Sequence, residues 1–337
     1  MLHPERLATF VALGQRLATI SADEIATLAA RARNQNAWFD APSVAAAVAG
    51  IAHLLAEAPL RQWAARYPHE PASVRQIGVV MAGNIPLVGF HDLLCVLLSG
   101  HVLLAKLSAD DTVGMTWVME ELLQLEPRFA TAIQVLPRLN AADAFIATGS
   151  DNTARYFEFY FGKKPNLIRR NRTSVAVLTG QETNGELALL GPDIFQYYGL
   201  GCRNVSKLFV PTGYDFVPLL DALQTCEGVR NHHKYNNNYD YNKSILLVNR
   251  IPHFDNGFFL VTHDPKLVSP ISTVYYTEYA SEVDLVDQLT DVAAQIQCVV
   301  SAGGRFAGSV PFGQAQAPVV SEYADGIDTM EFLAELV

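Results

Sequence analysis

The sequence predicts an α/β protein with two open, doubly wound lobes and a helical N-terminal layer. Three observations support this fold class: residues 1–67 are rich in alanine and leucine at helical spacing, short apolar runs alternate with amphipathic stretches beyond Pro71, and the alternation restarts after Cys202. Strands that alternate with helices indicate crossover units on a parallel sheet. The predicted parts are a helical layer, a first α/β domain, a second α/β domain and a C-terminal segment that packs back on the first domain, at residues 1–70, 71–198, 199–302 and 303–337.

The individual elements follow from the spacing of apolar residues. Leu7, Phe10 and Val11 share one helical face, and Ser21 with Glu24 forms a capping box that begins a second helix. In the first domain, strands are predicted at residues 77–81, 102–106, 132–136, 144–148 and 175–178, and helices at residues 88–98, 112–125 and 152–161. After Cys202 the alternating segments are residues 206–210, 216–223, 245–248, 258–262, 273–276, 282–293 and 297–301.

The charge of the chain bounds its partners. With 337 residues, half of them apolar, the chain is long enough to bury full cores, and its formal net charge of −10 argues against broad contact with nucleic acid. The segment Arg155–Arg172 departs from this acidic balance, because it holds six cations and Glu158 as its one acid. An isolated basic block of this kind favours either a polyphosphate ligand or a solvated helix face.

Cysteine and histidine spacing predicts no metal site. Four cysteines lie far apart without CxxC spacing, which indicates reduced thiols rather than a zinc site or a disulfide framework. His232-His233 and His253 lack cysteine or carboxylate partners at ligand spacing. No basic start followed by an apolar core opens the chain, and no apolar run reaches the roughly 18 residues that span a membrane, so we expect no membrane span and a cytoplasmic protein.

The turn Gly199–Asn204 contains the candidate nucleophile, Cys202. This cysteine stands between a glycine turn and the cation Arg203, where positive potential lowers the pKa of a thiol and favours the reactive thiolate. The alternative interpretation is a small buried apolar residue, since most free cysteines are buried.

Ligand-type residues follow three of the predicted strands. They are Met81-Ala82-Gly83-Asn84, with Pro86 two residues later, then Lys106-Leu107-Ser108, and finally Thr148-Gly149-Ser150 at the start of a helix. Ligands of open α/β sheets bind outside the carboxyl ends of the strands, and a helix N-terminus favours a phosphate. The alternative at each strand end is a turn that needs Gly, Ser or Asn only for its backbone.

These motifs, in this order, resemble the aldehyde dehydrogenase superfamily, and within it the acyl-CoA reductases of the LuxC type. The resemblance runs from about Gly78 to the C-terminus and implies an aldehyde-dehydrogenase-like fold. It implies Cys202 as nucleophile and Asn84, in an Asn-x-Pro motif, as oxyanion donor. It also implies a closing loop at Pro311-Phe312-Gly313 and cofactor-binding residues Met81, Ala82, Gly83, Lys106, Ser108, Thr148, Gly149, Ser150 and Thr153.

Three departures from the family pattern bear on the implied activity and cofactor. Oxidative members carry a Glu-Leu-Gly-Gly segment whose glutamate activates water, whereas the matching segment here is Arg169–Ser174, which has no carboxylate. NAD-preferring relatives place a glutamate three residues after the ribose-binding lysine, and that position here is Ala109. The resemblance therefore implies NADPH rather than NADH as cofactor. A second family glutamate, which holds the nicotinamide ribose, has no counterpart around residues 266–270.

The expected activity is NADPH-dependent reduction of an acyl-CoA to an aldehyde through an acyl-cysteine. A fatty acyl thioester is the expected substrate, coenzyme A is the co-substrate or product, and a homodimer and a partner enzyme that donates acyl groups or accepts aldehyde are compatible with the family. Two alternatives stay open: a CoA-acylating aldehyde dehydrogenase for short aldehydes, and a catalytically silent member that acts as a binding partner.

The run His232–Lys243 is polar and aromatic, with three consecutive asparagines. Its turn-forming composition predicts a surface loop. The alternative is a loop that shapes the entrance for the acyl group or for coenzyme A.

Overall fold

The computed structural model describes residues 1–68, 70–149 and 151–336, without the side chains of residues 151–153. Its α-helices are α1 His3–Ala18, α2 Ala22–Gln35, α3 Ala41–Leu54, α4 Glu57–Ala64, α5 Phe90–Leu98, α6 Thr112–Leu125, α7 Asp151–Phe161, α8 Asn184–Phe195, α9 Val217–Leu223, α10 His233–Val248, α11 Glu282–Val292 and α12 Thr329–Ala334. Its strands are β1 Gln76–Val80, β2 Val102–Lys106, β3 Ile133–Val135, β4 Ala144–Gly149, β5 Asn166–Arg170, β6 Thr173–Val177, β7 Val205–Pro211, β8 His253–Asp255, β9 Leu260–His263, β10 Thr273–Tyr279, β11 Ile296–Ser301 and β12 Val310–Pro311.

The chain divides into two units, each built around one sheet. The first unit comprises residues 1–171 and 318–337, and the second comprises residues 172–317. The sheet of the first unit has the strand order β3-β2-β1-β4-β5, and that of the second unit has the order β12-β11-β6-β7-β10-β9-β8. All pairs are parallel except β8 with β9, as expected for crossover units with one antiparallel edge strand.

Helices α1 to α4 form the predicted N-terminal layer of the first unit. The capping box is present, because the hydroxyl of Ser21 accepts from the backbone N–H of Glu24 while the Glu24 carboxylate accepts from the Ser21 N–H. Helix α1 packs on α3, and both helices bury apolar side chains, among them Phe10 and Val48. No single helix in the described part of the chain has the length and apolar composition to cross a membrane; α3 and α4 pass that test only as a pair, bent by 56°.

The register of the first sheet brings three strand ends to one edge. Val80 pairs with Lys106 of β2 on one side and with Ala147 of β4 on the other. Beyond the ladder, the backbone N–H of Met81 donates to the carbonyl of Lys106 over 3.1 Å. The carboxyl ends of β1, β2 and β4 are therefore neighbours, as the parallel arrangement requires.

The division between the units differs from the predicted domain boundaries. Strand β6, placed by the sequence in the first α/β domain, pairs with β7 and β11 and so belongs to the second sheet. Strand β5, within the basic segment, carries too few apolar residues to signal a strand, yet it pairs with β4 as the last strand of the first sheet. The first part of the first unit thus ends just after β5, and the chain returns to this unit at Pro318.

The interpretation of His232–Lys243 as a loop is wrong, and the segment 245–248 is not an element of its own. Residues 233–248 form the single helix α10, and His232 is its N-cap residue. The helix forms because its buried residues, Tyr235, Tyr239, Asn242 and Leu246, recur at intervals of three and four and so share one face. Polar side chains support it along the surface, as where Asn236 donates to Asp240 one turn later. The turn-forming asparagines obscure this period in the sequence.

Candidate active site

The turn that carries Cys202 follows a strained segment at the end of α8. Tyr197 and Tyr198 both have left-handed backbones, with φ of 53° and 59°, and Gly199 follows with φ of 79°. Non-glycine residues rarely adopt this conformation, so packing must hold it. The ring of Tyr198 lies 4.5 Å from the ring of His232, measured between centroids. The chain then reaches Cys202, which is half-buried.

Asn204 ties this turn to the end of α8. Its side-chain amide donates to the backbone carbonyls of Asp193, Ile194 and Gln196 over 3.1, 3.3 and 2.9 Å, and its side-chain oxygen accepts from the N–H of Gly201 over 2.8 Å. The last carbonyls of a helix have no partner within the helix, so Asn204 satisfies groups that otherwise need water. With 2% of its surface exposed, Asn204 fixes the turn from inside.

The predicted closing loop lies in the same unit and is connected to the same turn. The buried carboxylate of Asp193 accepts from the backbone N–H of Gly313 over 2.7 Å and of Ala315 over 2.9 Å. Arg203, the neighbour of Cys202, donates through Nε to the carbonyl of Ala315. Burial raises the pKa of Asp193 to about 6, against the lowering effect of the two N–H donors. The structure therefore joins two motifs that the sequence could only place in order.

The segment that matches the family's water-activating motif also reaches the turn, through its last residue. The hydroxyl of Ser174, at the start of β6, donates to the carbonyl of Cys202 over 3.1 Å, and the Ser174 N–H donates to the carbonyl of Asn204 over 3.3 Å. Ser174 is fully buried. A hydroxyl thus contacts the backbone of the candidate nucleophile from this segment.

Arg169, in the same motif, does not supply a free cation. Its Nη1 donates to both carboxylate oxygens of Asp92 over 2.8 Å, and its Nη2 donates to the hydroxyl of Thr329 over 2.5 Å. All three residues belong to the first unit, and Arg169 is 3% exposed. Arg170 instead pairs at the surface with Glu158. Arg169 therefore fits neither interpretation of the basic block, a polyphosphate ligand or a solvated helix face, because it is buried and Asp92 balances its charge inside the first unit.

The other cysteines lie in environments that disfavour a thiolate. Burial raises the pKa of Cys95 well above its ordinary value, and it raises the pKa of the half-buried Cys226 as well. Cys298 is buried in β11. Cys202 is half-buried like Cys226, but it lies in a turn rather than inside a helix or strand.

The predicted cofactor residues lie together at the carboxyl edge of the first sheet. A Cβ on Gly83 would lie 2.4 Å from Oγ and 2.5 Å from Cβ of Ser108, so the contact between these two loops requires glycine. Lys106 is exposed at the end of β2, and Thr148 and Gly149 end β4, the strand on the other side of β1. Ser150 and the side chain of Thr153 lie outside the described residues.

A buried carboxylate holds the loop that contains Asn84. Oδ2 of Asp111 accepts from the backbone N–H of Leu87 over 2.6 Å, and Leu87 has a left-handed φ of 60°. Asp111 is 1% exposed, and burial raises its pKa to about 7. Asn84, three residues before Leu87, is exposed. Nothing in the sequence distinguishes Asp111 from Asp110 beside it, so sequence reasoning missed this contact.

A large cavity lies at the other edge of the first sheet. Its volume is about 490 Å³, and its lining includes Arg75, Asp143, Lys164 and Pro165, which stand at the amino ends of the strands. The candidate cofactor residues are at the carboxyl ends, so this cavity is separate from them. Within residues 1–68, 70–149 and 151–336, no group of three or more His, Cys, Asp or Glu is arranged to hold a metal ion.

Comparison with solved structures identifies the fold. A putative aldehyde dehydrogenase from Burkholderia cenocepacia superposes with a TM-score of 0.65 at 15% identity, over 89% of this chain and 74% of that one. An NAD-dependent aldehyde dehydrogenase from Sinorhizobium meliloti gives a TM-score of 0.68 at 10% identity, over 95% and 73%. The Mycobacterium tuberculosis aldehyde dehydrogenase complexed with NAD⁺ gives 0.60 at 14% identity, over 89% and 73%. No family model and no curated protein sequence matches the chain. The predicted fold class is confirmed: this chain has the aldehyde dehydrogenase fold.

Proposed function

We propose that the protein is an NADPH-dependent acyl-CoA reductase that converts an acyl thioester, with a fatty acyl chain as the preferred substrate, to an aldehyde. The observation that carries this proposal is the Cys202 turn. It presents a partly accessible thiol on a backbone held by buried hydrogen bonds, and the carboxylate in that network, Asp193, has both oxygens engaged by N–H donors. An acyl group on Cys202 would therefore be attached to a fixed turn. Asp193, whose two oxygens both accept hydrogen bonds, would not act as a base that activates water against it.

The first step is attack by the Cys202 thiolate on the thioester carbonyl carbon. The new carbon–sulfur bond places a negative charge on the carbonyl oxygen, and the backbone N–H of Cys202 is the proposed donor to it. Asn84 is the proposed side-chain donor, a role taken from the resemblance. When the carbonyl re-forms, the bond to coenzyme A breaks and coenzyme A leaves as a thiolate, which needs no strong general acid.

The edge of the first sheet suits a dinucleotide. Gly83 lets the loop after β1 approach Ser108 closely, and Lys106 is exposed beside them. When bound, the coenzyme supplies a hydride to the carbonyl carbon of the acyl-cysteine. The chain's own residues hold the dinucleotide and present cationic and hydroxyl donors to its phosphates and ribose.

The preference for NADPH is proposed from the surroundings of Lys106. Ala109 is exposed three residues later and offers no carboxylate to repel a 2′-phosphate. Lys106 and Ser108 are the proposed contacts to that phosphate. The NAD⁺ named with the Mycobacterium tuberculosis structure makes NADH the alternative cofactor.

Product release regenerates the thiol. The reduced adduct on Cys202 is a thiohemiacetal, whose carbon–sulfur bond breaks as its oxygen becomes the carbonyl of the aldehyde, and the electron pair returns to Cys202. Hydrolysis to acid would need a base to activate water. The matching segment Arg169–Ser174 has no carboxylate, and Asp193 is held by Gly313 and Ala315.

A CoA-acylating aldehyde dehydrogenase for short aldehydes is the second candidate, because it uses the same cysteine in the reverse direction. A homodimer and a partner enzyme that delivers acyl groups or accepts aldehyde belong to the same proposal. The two activities differ in the chain length that gives the highest kcat/KM.

The experiment follows NADPH and NADH oxidation by the wild-type protein across acyl-CoA chain lengths, with aldehyde measured directly. We expect turnover with NADPH above that with NADH and highest kcat/KM with long chains. In reverse, long-chain aldehyde and NADP⁺ should give acyl-CoA when coenzyme A is present and little free acid without it. Rapid production of free acid without coenzyme A would contradict the proposal and indicate an aldehyde dehydrogenase that uses water.

A further inference from the structure

We propose that Asp193 is a positioning residue for Cys202, acting through a closed ring of hydrogen bonds that fixes the nucleophile turn. The ring runs from Asp193 on α8 to the loop 313–315, from that loop to Arg203, and from the turn through Asn204 back to α8. This inference rests on the role proposed for Cys202, and it assigns a function to a residue that takes no part in the chemical steps.

The first link joins helix α8 to the loop. Oδ2 of Asp193 accepts from Gly313 N–H over 2.7 Å, and Oδ1 accepts from Ala315 N–H over 2.9 Å. Asp193 has no exposed surface, so water does not compete for either oxygen. Two donors on one carboxylate fix the orientation of the loop as well as its distance, and hydrogen bonds to a charged acceptor are the strong ones.

The second link joins the loop to the turn. Nε of Arg203 donates to the carbonyl of Ala315, the residue whose N–H is bound by Asp193. Ala315 therefore receives a contact on each side of its backbone. Because Arg203 follows Cys202 directly, the placement of the loop determines where the side chain next to the nucleophile is held.

The third link closes the ring. Asn204 donates to the carbonyls of Asp193, Ile194 and Gln196 and accepts from Gly201 N–H, so one side chain after Cys202 binds both the end of α8 and the turn residue before Cys202. Every link belongs to the second unit. Each link holds residues in place for the next one, so opening the ring at any point weakens the positional constraint on the rest, and the contributions of the links are not additive.

Chemistry explains why a carboxylate is needed at this position. Both partners of Asp193 are N–H donors, and a side-chain amide could accept from one of them but would point its NH₂ group at the other. Replacement by asparagine therefore breaks one bond without changing the size of the side chain. The expected result is a mobile loop and a displaced Arg203, so that the cation following Cys202 in the sequence is no longer held in place.

The test compares Asp193→Asn with Asp221→Asn, a matched change at an exposed position of α9 in the same unit. Alkylation of Cys202 by iodoacetamide is followed by mass spectrometry of its own peptide between pH 6 and 9, together with thermal melting and steady-state kinetics. We expect alkylation of Cys202 at pH 7 to fall about tenfold in Asp193→Asn, with its midpoint moved to higher pH. We also expect a lower kcat at little change in KM, and no change in Asp221→Asn.

Arg203→Gln breaks a different link of the ring, the bond from Arg203 to Ala315, and it tests the inference if Asp193→Asn does not fold. It should lower Cys202 alkylation to a similar extent. The double variant should be no worse than the single ones, since the ring is already open. Wild-type alkylation and kcat in a folded Asp193→Asn or Arg203→Gln variant would overturn the inference, as would additive losses. Because alkylation needs no acyl substrate, a protein that fails to reduce acyl-CoA yet shows these shifts would overturn the proposed function alone.

Discussion

The two units hold their candidate functional residues by different means. In the first unit, the strand ends after β1, β2 and β4 meet because parallel register aligns them, and side chains such as Lys106 stay exposed. In the second unit, the Cys202 turn is held by buried polar side chains, chiefly Asp193 and Asn204. Backbone register suits a site that only binds, whereas a nucleophile needs its orientation fixed by specific contacts.

One loop of the first unit departs from this contrast. The loop containing Asn84 is fixed by the buried carboxylate of Asp111 through Leu87, in the manner of the Cys202 turn. By resemblance, Asn84 is the one residue of that edge with a role in the chemistry. The means of support therefore correlates with the proposed role of a residue rather than with the unit it belongs to.

The largest effect is expected at the nucleophile. Cys202→Ala should lower aldehyde formation by at least about 1,000-fold, because no covalent acyl-enzyme forms. NADPH should still bind with near wild-type affinity, since the strand ends of the first unit are untouched. Cofactor binding by fluorescence titration and turnover by NADPH oxidation separate the two effects.

Cys226→Ala is the control for this change, because burial raises the pKa of that thiol. It should retain most of the activity. If Cys202→Ala were active and a variant at Cys95 or Cys298 were inactive, the nucleophile would be assigned to the wrong residue.

A smaller effect is expected for Asp111→Asn, on the pH dependence of stability. The pKa of Asp111 is about 7 in the folded protein, where the group is buried, and near 3.8 when the group is exposed to water. Between these two pH values the folded state binds the proton more tightly than the unfolded state. The wild-type unfolding free energy therefore falls as pH rises from 4 to 7, by roughly 2–4 kcal/mol from this group. Asp111→Asn has no carboxyl group at this position, so its unfolding free energy lacks this pH dependence.

Urea unfolding of both proteins at several pH values measures the difference directly. The stability of the wild type relative to Asp111→Asn should decrease toward neutral pH. A difference that stays constant between pH 4 and 7 would mean that the buried carboxyl does not titrate in this range.

The smallest effect is expected for Gly83→Ala, which tests the carboxyl edge of the first sheet, where parallel register aligns the strand ends. The added Cβ cannot remain 2.4 Å from the Ser108 oxygen, so one of the two loops must move. We expect NADPH affinity to fall about tenfold, equivalent to about 1.4 kcal/mol. Measured with NADH, which lacks the 2′-phosphate that Ser108 is proposed to contact, the double variant with Ser108→Gly should bind better than Gly83→Ala alone. Unchanged affinity in Gly83→Ala would remove this edge from the cofactor site.

Sequence reasoning reached the parts of the molecule that depend on local pattern. The Ser21 cap, the strands ending at Lys106 and Gly149, and the alternation behind the fold class are all encoded within a few residues. The contacts of Asp193 could not be read in this way, because its partners lie 120 and 122 residues further along the chain. The burial of Arg169 could not be predicted for a related reason: a charged residue in a basic segment indicates exposure, and its partner Asp92 lies 77 residues earlier in the chain.

The two left-handed tyrosines before Gly199 have a consequence for anyone who wishes to make this protein more heat-resistant. Each non-glycine residue in that conformation costs about 1–2 kcal/mol, so Tyr197 and Tyr198 would be flagged by a stabilisation survey as positions for glycine. Tyr198, however, packs on His232 and Tyr235, and the same segment leads directly into the Cys202 turn. Glycine at these two positions could therefore raise the melting temperature and at the same time loosen the segment that holds the Cys202 thiol in place.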